Sequence, residues 1–358
     1  TRWRKFLRIL LITIGSLLVL VAAAIYALTL PSVQQKITRK AESFLQDKLQ
    51  TRVEIGAIRL RFPYNVSLEK FLLEDQQGDT LARVGSLVIS MDMWKLLDHT
   101  IELQKITLED ASVYLHQKDS IYNFDFVTKA FANPDTMAVK PVDSTASAWN
   151  LRLNLAVLQL KSVDFLLQDE DSQSITQAKI GTAETTIQKA DLKTLHFELD
   201  GFALADSEIR MIQKKKSVNA KPTPAFGLTL KDGDITNSNI VYSTPERALD
   251  ATLSKTKLGN LQLESANDVM GIVAKDIRVE NSALAYRDPA NPVTPGHFNA
   301  SDMALTALNA DLPDFSMQGD SIYVEANALS GNDKSGLQLH SLKTTARVTT
   351  GSIEIRNL

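Results

Sequence analysis

Apolar and polar side chains alternate with a period of two along most of this chain. Val53/Ile55, Leu87/Ile89, Ile101/Leu103, Leu151/Leu153/Leu155/Val157, Ile322/Val324/Ala326 and Ile353/Ile355 each put their apolar members on one face of a strand. Turn formers break the runs at Gln77-Gly78-Asp79, Asp169-Glu170-Asp171, Asp232-Gly233, Gly331-Asn332-Asp333 and Ser335-Gly336. The phase also slips within segments, as where Leu103 gives way to Ile106 and Leu108, which predicts bulged or bent strands. Met91 to Asp98 and Asn123 to Ala132 read as short helices. Roughly 18 to 20 strand candidates, at about 4.8 Å each, would stack to ~90 Å in one direction.

The first fifty residues follow other rules. Arg2, Arg4, Lys5 and Arg8 precede an uncharged run from Ile9 to Leu30, and the next charge is Lys36. A helix of about 22 residues spans ~33 Å, enough to cross a bilayer core. The basic flank assigns its start to the cytoplasmic side, so everything after Pro31 lies beyond the membrane. The competing reading is a cleaved secretory signal, for which Ala22-Ala23-Ala24 is a weak site and the apolar run is long. Ser32 to Gln50 follows as an amphipathic helix, capped by Ser32, with Val33, Ile37, Ala41, Phe44, Leu45 and Leu49 on one face. Its broad stripe predicts a plug for the next domain, with a helix lying on the membrane surface as the alternative.

Four windows share a grammar: Leu108 to Leu115, Leu160 to Leu167, Ile235 to Tyr242 and Val279 to Tyr286. Each has an apolar residue, a small or turn-forming pair, then an alternating strand. Their uneven spacing predicts a divergent hairpin unit with variable loops, not a strict solenoid. Ile355-Arg-Asn-Leu358 reads as the opening of a fifth copy, so the chain is expected to be the amino-terminal piece of something longer. The segments 133–148 and 214–224 read as loops, the second a solvated one carrying Lys214-Lys215-Lys216.

Composition narrows the chemistry. The chain is 44% hydrophobic and 23% charged with a net charge of −3, which offers nothing to attract nucleic acid. Without cysteine there are no disulfides, thiolate nucleophiles or cysteine metal sites. His99, His116, His196, His297 and His340 have no ligand spacing, and Asp169-Glu170-Asp171 reads as a hairpin turn. No phosphate loop or nucleophile motif occurs, so no enzyme activity, cofactor or metal is expected. Trp3 is assigned to the bilayer interface, and Trp94 and Trp149 to packing.

One stretch carries a family resemblance. The basic-flanked anchor and helix are followed by Val53-Glu-Ile-Gly-Ala-Ile, then Leu72-Leu-Glu-Asp75-Gln-Gln-Gly78-Asp-Thr-Leu81. Leu87 and Ile89 lead to Met93-Trp-Lys-Leu96-Leu97, then Ile101, Leu103, Ile106, Leu108, Val113 and Leu115. This order resembles the AsmA-like envelope proteins, the TamB type most closely. The resemblance implies an elongated, curved antiparallel β-sheet forming an open groove, anchored in the bacterial inner membrane with its bulk in the periplasm. It implies phospholipid as the cargo, and for the TamB type an outer-membrane β-barrel partner.

The expected architecture is therefore a cytoplasmic flank and anchor (1–31), the amphipathic helix (32–50), a head region (51–132) and a repeated β-sheet groove (133–358). A closed β-sandwich is the alternative, because alternation buries one face in either case. Leu151, Leu153, Leu155, Val157, Ile322, Val324 and Ala326 are the groove-lining candidates. Each acyl CH₂ sheltered there gains about 0.8 kcal/mol, or roughly 12 kcal/mol for a sixteen-carbon chain. The expected function is a lipid conduit between membranes. The alternatives are a scaffold for outer-membrane protein assembly and, more remotely, an envelope hydrolase with its active site elsewhere.

Overall fold

The computed structural model describes residues 16, 19, 20, 23, 25–119, 121–131, 150–152, 156–191, 194–215, 225–266, 269–288, 297–319, 321–349 and 352–356. Arg2, Arg4, Lys5, Arg8, Leu153, Leu155 and most of the uncharged run lie outside them. Among the described residues no helix is long and apolar enough to cross a membrane.

Helix α1 (Pro31–Leu49) begins before the expected cap. Leu30 is the N-cap, without a side-chain bond, and Pro31 occupies the first turn, where its missing N–H leaves no hydrogen bond unmade. Ser32 lies inside the helix and caps nothing. Gln50, in the left-handed region, ends it by donating its N–H to Gln46 O. Ala41, Leu45 and Leu49 pack on Val53, Ile55, Leu73 and Leu81, a cluster that closes one end of the sheet.

The opposite requirement, satisfying the unpaired edge of β1 (Val53–Arg61), falls to a second helix stripe. Gln34, Thr38, Glu42 and Gln46 recur every four residues. Gln46 Nε2 donates to Val53 O (2.7 Å) and Gln34 Nε2 to Leu60 O (3.2 Å). Ile55 N donates to Glu42 Oε2 (3.2 Å) and Ile58 N to Thr38 Oγ1 (2.9 Å). Four helix residues rise about 6 Å, close to the ~6.6 Å of two strand residues, so the two ladders stay in step. A naked edge strand invites foreign pairing, and here side chains replace the missing neighbour.

The strands assemble in chain order. β1, β2 (Asn65–Glu74), β3 (Thr80–Met91) and β4 (Thr100–Lys118) pair antiparallel. The two-residue β5 (Ile121–Tyr122) folds back on the end of β4, β6 (Asn150–Arg152) and β7 (Ala156–Asp169) join β4 in parallel, and β8 (Ser174–Asp191) turns back on β7. Three long strands are each interrupted once: β9/β10 (His196–Ala205, Glu208–Gln213), β11/β12 (Phe226–Leu230, Gly233–Ser243) and β13/β14 (Ala248–Leu258, Leu261–Ala266). β11/β12 runs parallel to β9/β10. Then β15 (Val269–Arg287), β16 (Asp302–Gln318), β17 (Ser321–Asp333), β18 (Gln338–Thr349) and β19 (Ser352–Arg356) follow antiparallel.

The 19 strands described form one sheet, not the two layers of a sandwich. It is mixed, which corrects the antiparallel expectation. Its two parallel steps fall where the sequence places its two composition-biased loops, 133–148 and 214–224. A hairpin needs a couple of residues, whereas a parallel neighbour requires the chain to return along the whole strand. Helix α2 (Asp125–Phe131) lies on the first return, and the other helical window forms a short 3₁₀ turn, Met93–Asp98. Counting interrupted strands once, and giving the short β5 and β6 beside β4 no position of their own, leaves about fourteen positions and a sheet ~60 Å long, shorter than the ~90 Å expected.

The four repeat windows are not hairpins. In each, the third residue lies in the left-handed region within a continuous strand: Asp110 (φ 52), Ser162 (φ 51), Asn237 (φ 43) and Asn281 (φ 45). Lys70, Asp206 and Ala307 do the same on β2, between β9 and β10, and on β16. Such a residue swivels the strand, so apolar side chains continue on the same side one position out of phase. On β7 this gives Leu158 and Leu160, then Val163 and Phe165. Gly331-Asn332-Asp333 likewise belongs to β17, and the turn follows at Lys334 to Leu337.

Candidate functional site

The kinks align into a crease. Flanking pairs place Lys70 opposite Gly56 and Gly85, Asp110 opposite Gly85 and Ser162, and Gly181 opposite Ser162. Glycine is needed at the close approaches: a Cβ on Gly181 would meet Asp206 O at 2.5 Å and Ala205 O at 2.9 Å. Ladder bonds lost at the kinks are replaced by side chains. Ser207 Oγ accepts from Gly181 N (3.2 Å), Ser238 Oγ from Ser207 N (3.3 Å) and Ser282 Oγ from Ser254 N (3.1 Å). These three serines are buried, as the geometry demands of groups bridging strands.

Beside the crease runs an apolar row. Directly paired residues share a face, and pairings connect Ile58, Leu68, Leu87, Leu108 and Leu160. The row continues through Ala183, Leu204 and Ile235 to Thr256. It then passes Val279, Ala310 and Leu329 to Leu342. Thr256 is its one polar member; the residue is 5% exposed and its Oγ1 has no hydrogen-bond partner among the described residues. Residues flanking the row in sequence point the other way and pair as ions: Lys161 with Glu109 (2.8 Å) and Lys255 with Glu280 (2.9 Å).

Across the crease a parallel row links Val53, Leu73, Ala82, Val113, Phe165 and Ala178 to Ile209, Ile240, Ala251, Leu284 and Leu305. Both rows face the same space. A cavity of about 580 Å³ between β13 and β18 is lined by Val279, Ala310, Leu329 and Leu342 from one row and by Ala251, Leu284 and Leu305 from the other. Leu308, Leu312 and Leu339 complete its largely aliphatic wall, with Phe298 and Leu337 toward its open side.

The groove candidates scatter. Val324 pairs with Phe315 and Ala346, and Ile322 with Met317 and Val348, both in apolar rows nearer one rim. Ala326 is 2% exposed. Val157 sits between Lys105 and Thr186, while its neighbours Ala156 and Leu158 face Ile187 and Ile106. Leu151 lies in β6, where the backbone alone is described, and Leu153 and Leu155 are outside the described residues. Extending the phase of Leu151 to Leu155 missed the alternation of Leu158 and Leu160. The cavity leucines Leu308, Leu329 and Leu342 were also missed, because each follows a slip that the repeat windows already displayed.

Charged clusters are peripheral. His116 Nε2 lies 3.0 Å from Glu170 Oε1 and Lys118 Nζ 3.3 Å from Glu170 Oε2. Hydrogen bonds from His116 and then Lys118 hold the Glu170 carboxyl below the usual range. Asp169 Oδ1 accepts from Asp171 N at 2.8 Å, closing the β7–β8 turn. Among the described residues no three acidic or imidazole side chains converge as metal ligands.

A creased single sheet, with an apolar row interrupted once at Thr256 and ion pairs on its back, defines a β-sheet protein built around a groove. The AsmA family pattern matches residues 3–349, and the chain belongs to the AsmA family. No curated protein matches it.

Proposed function

We propose that this protein is a lipid conduit anchored in the inner membrane, carrying phospholipid tails along its apolar face through the periplasm. The observation that carries the reading is the row from Ile58 to Leu342, continuous across the sheet and opening into an aliphatic cavity. Burial energy scales with area, so similar side chains at successive strands hold a tail almost equally well at each position. A tail can then move along the row without a large barrier, its headgroup staying at the wet rim. The work that drives net movement comes from another component.

The uncharged run 9–30 serves as the anchor, with Arg2, Arg4, Lys5 and Arg8 in the cytoplasm. Within the family we assign the protein to the TamB type, on the order of anchor, helix, Asp75–Gly78 turn and 3₁₀ turn. In that turn Asp75 Oδ1 accepts from Gln77 N (2.9 Å) and Asp79 N (3.0 Å). A barrel partner in the outer membrane would accompany that assignment.

The test is photo-crosslinking in cells. A photoreactive residue at Ala310, Leu329 or Val324 should capture phospholipid, whereas at Asp311, Ser330 or Glu325 it should not. Equal capture from the two sets rejects the conduit.

A further inference from the structure

The conduit needs a way to sit against its donor bilayer, and one corner of the sheet is built for it. The β1–β2 turn and the 3₁₀ turn Met93–Asp98 meet there, at the same rim. Met91 N donates to Tyr64 O (2.8 Å) and Met93 N to Pro63 O (3.1 Å), fixing one turn on the other. Trp94 packs edge-on against Phe62, ring centroids 4.8 Å apart. The result is a rigid apolar lip whose tips stay in the open: Leu97 is 75% exposed, Tyr64 64% and Trp94 50%. Trp94 thus packs on Phe62, as expected, and still leaves half of its surface open. Exposed side chains of this size, clustered and held by backbone bonds, mark a contact surface.

The chain itself says what covers it. Gln34 Nε2 donates both to Leu28 O (3.3 Å) and to Leu60 O (3.2 Å). One side chain therefore ties the base of the uncharged run 9–30 to the end of β1, two residues before Phe62. Tyr26 and Leu28 are exposed at that base, and Arg61 is exposed next to Phe62. Tryptophan and tyrosine, with an apolar body and a polar tip, favour the headgroup level of a bilayer, and arginine suits the phosphates above it.

We infer that Tyr64, Trp94 and Leu97 form a lip that dips into the interface of the bilayer holding the anchor, docking the first strands of the groove on the lipid surface. The inference rests on the anchor reading of residues 9–30, and its test separates the two. Trp3→Phe and Trp149→Phe leave Trp94 as the sole tryptophan among residues 1–358, and this chain is reconstituted into phosphatidylcholine/phosphatidylglycerol vesicles. Trp94 emission should shift to the blue and be quenched at least twofold by lipids brominated in the upper acyl chain. Adding Tyr64→Asp and Leu97→Asp should abolish that quenching while the chain still floats with the vesicles.

A chain that floats with Trp94 unquenched overturns the lip and leaves the anchor standing. A chain that does not float removes anchor and lip together. Quenching that persists in the aspartate variant, or burial of Trp94 that depends on protein concentration and not on bromine, also overturns the lip: the first assigns the signal to lipid inside the groove, the second to a second copy of the chain.

Discussion

Asn237 donates from Nδ2 to Asp206 Oδ1 at 2.6 Å, joining two left-handed residues on neighbouring strands. Both side chains are of the short polar kind that tolerates this region, and each stands where its strand bends. The bond therefore couples one kink of the crease to the next.

Asn237→Val should lower the stability of the chain by about 1–2 kcal/mol, because a β-branched residue is strained at positive φ. Asn237→Gly should stay within several tenths of the parent. Urea unfolding of the detergent-solubilised protein distinguishes them, and equal losses for the two variants would mean that backbone strain is not the cause.

Thr256→Val should stabilise the protein by roughly 1 kcal/mol. The hydroxyl is buried without a partner in an otherwise apolar row, and a methyl of similar shape removes that penalty. The same unfolding measurement reports it; a loss of stability would show that the hydroxyl is satisfied in solution.

Thr38→Val should cost about 1–2 kcal/mol by leaving the Ile58 N–H on the covered β1 edge without its acceptor. Thr38→Ser should retain most of that stability. Faster hydrogen exchange at Ile58 in the valine variant alone is the specific readout.

Asp333 gives a pH dependence. Burial raises its pKa, but hydrogen bonds from Ser335 and the Ala304 N–H, with the Lys334 charge, outweigh it and leave the carboxyl below its ordinary value. A depressed carboxyl stabilises the fold fully above the unfolded aspartate value of about 3.9, and that contribution disappears as pH falls through the lower folded value. Asp333→Asn should lose this acid-side slope. Unfolding midpoints between about pH 2 and 5 measure it, and parallel curves for the two proteins would contradict it.

Much of the fold was legible in advance because alternation is a local property. Val53/Ile55, Leu87/Ile89 and Ile322/Val324 fall on strands, and the two parallel steps span the stretches expected as loops, of which 133–148 and 216–224 lie outside the described residues. The phase slip between Leu103 and Ile106 corresponds to a bulge at Gln104 opposite Ser90 and Met91. The candidate site was less legible. Val157 shows why: its assignment depended on the phase in which the strand resumes after residues 153–155, and a slip of one residue moves a side chain to the other face.

The sequence by itself determined the strands, their apolar faces and the four windows in which a small or polar residue interrupts the alternation, since periodicity and turn chemistry act over a few residues. Tertiary structure alone decided that those windows are kinks and not hairpins. Whether Asp110 or Asn237 turns the chain back or merely bends it depends on the strand beside it: with Ser162 or Ser254 in register across the gap, the ladder resumes past the interruption and the strand continues. Pairing between residues far apart in the chain, which no local pattern encodes, lined those bends into one crease and gathered the apolar rows around a common space.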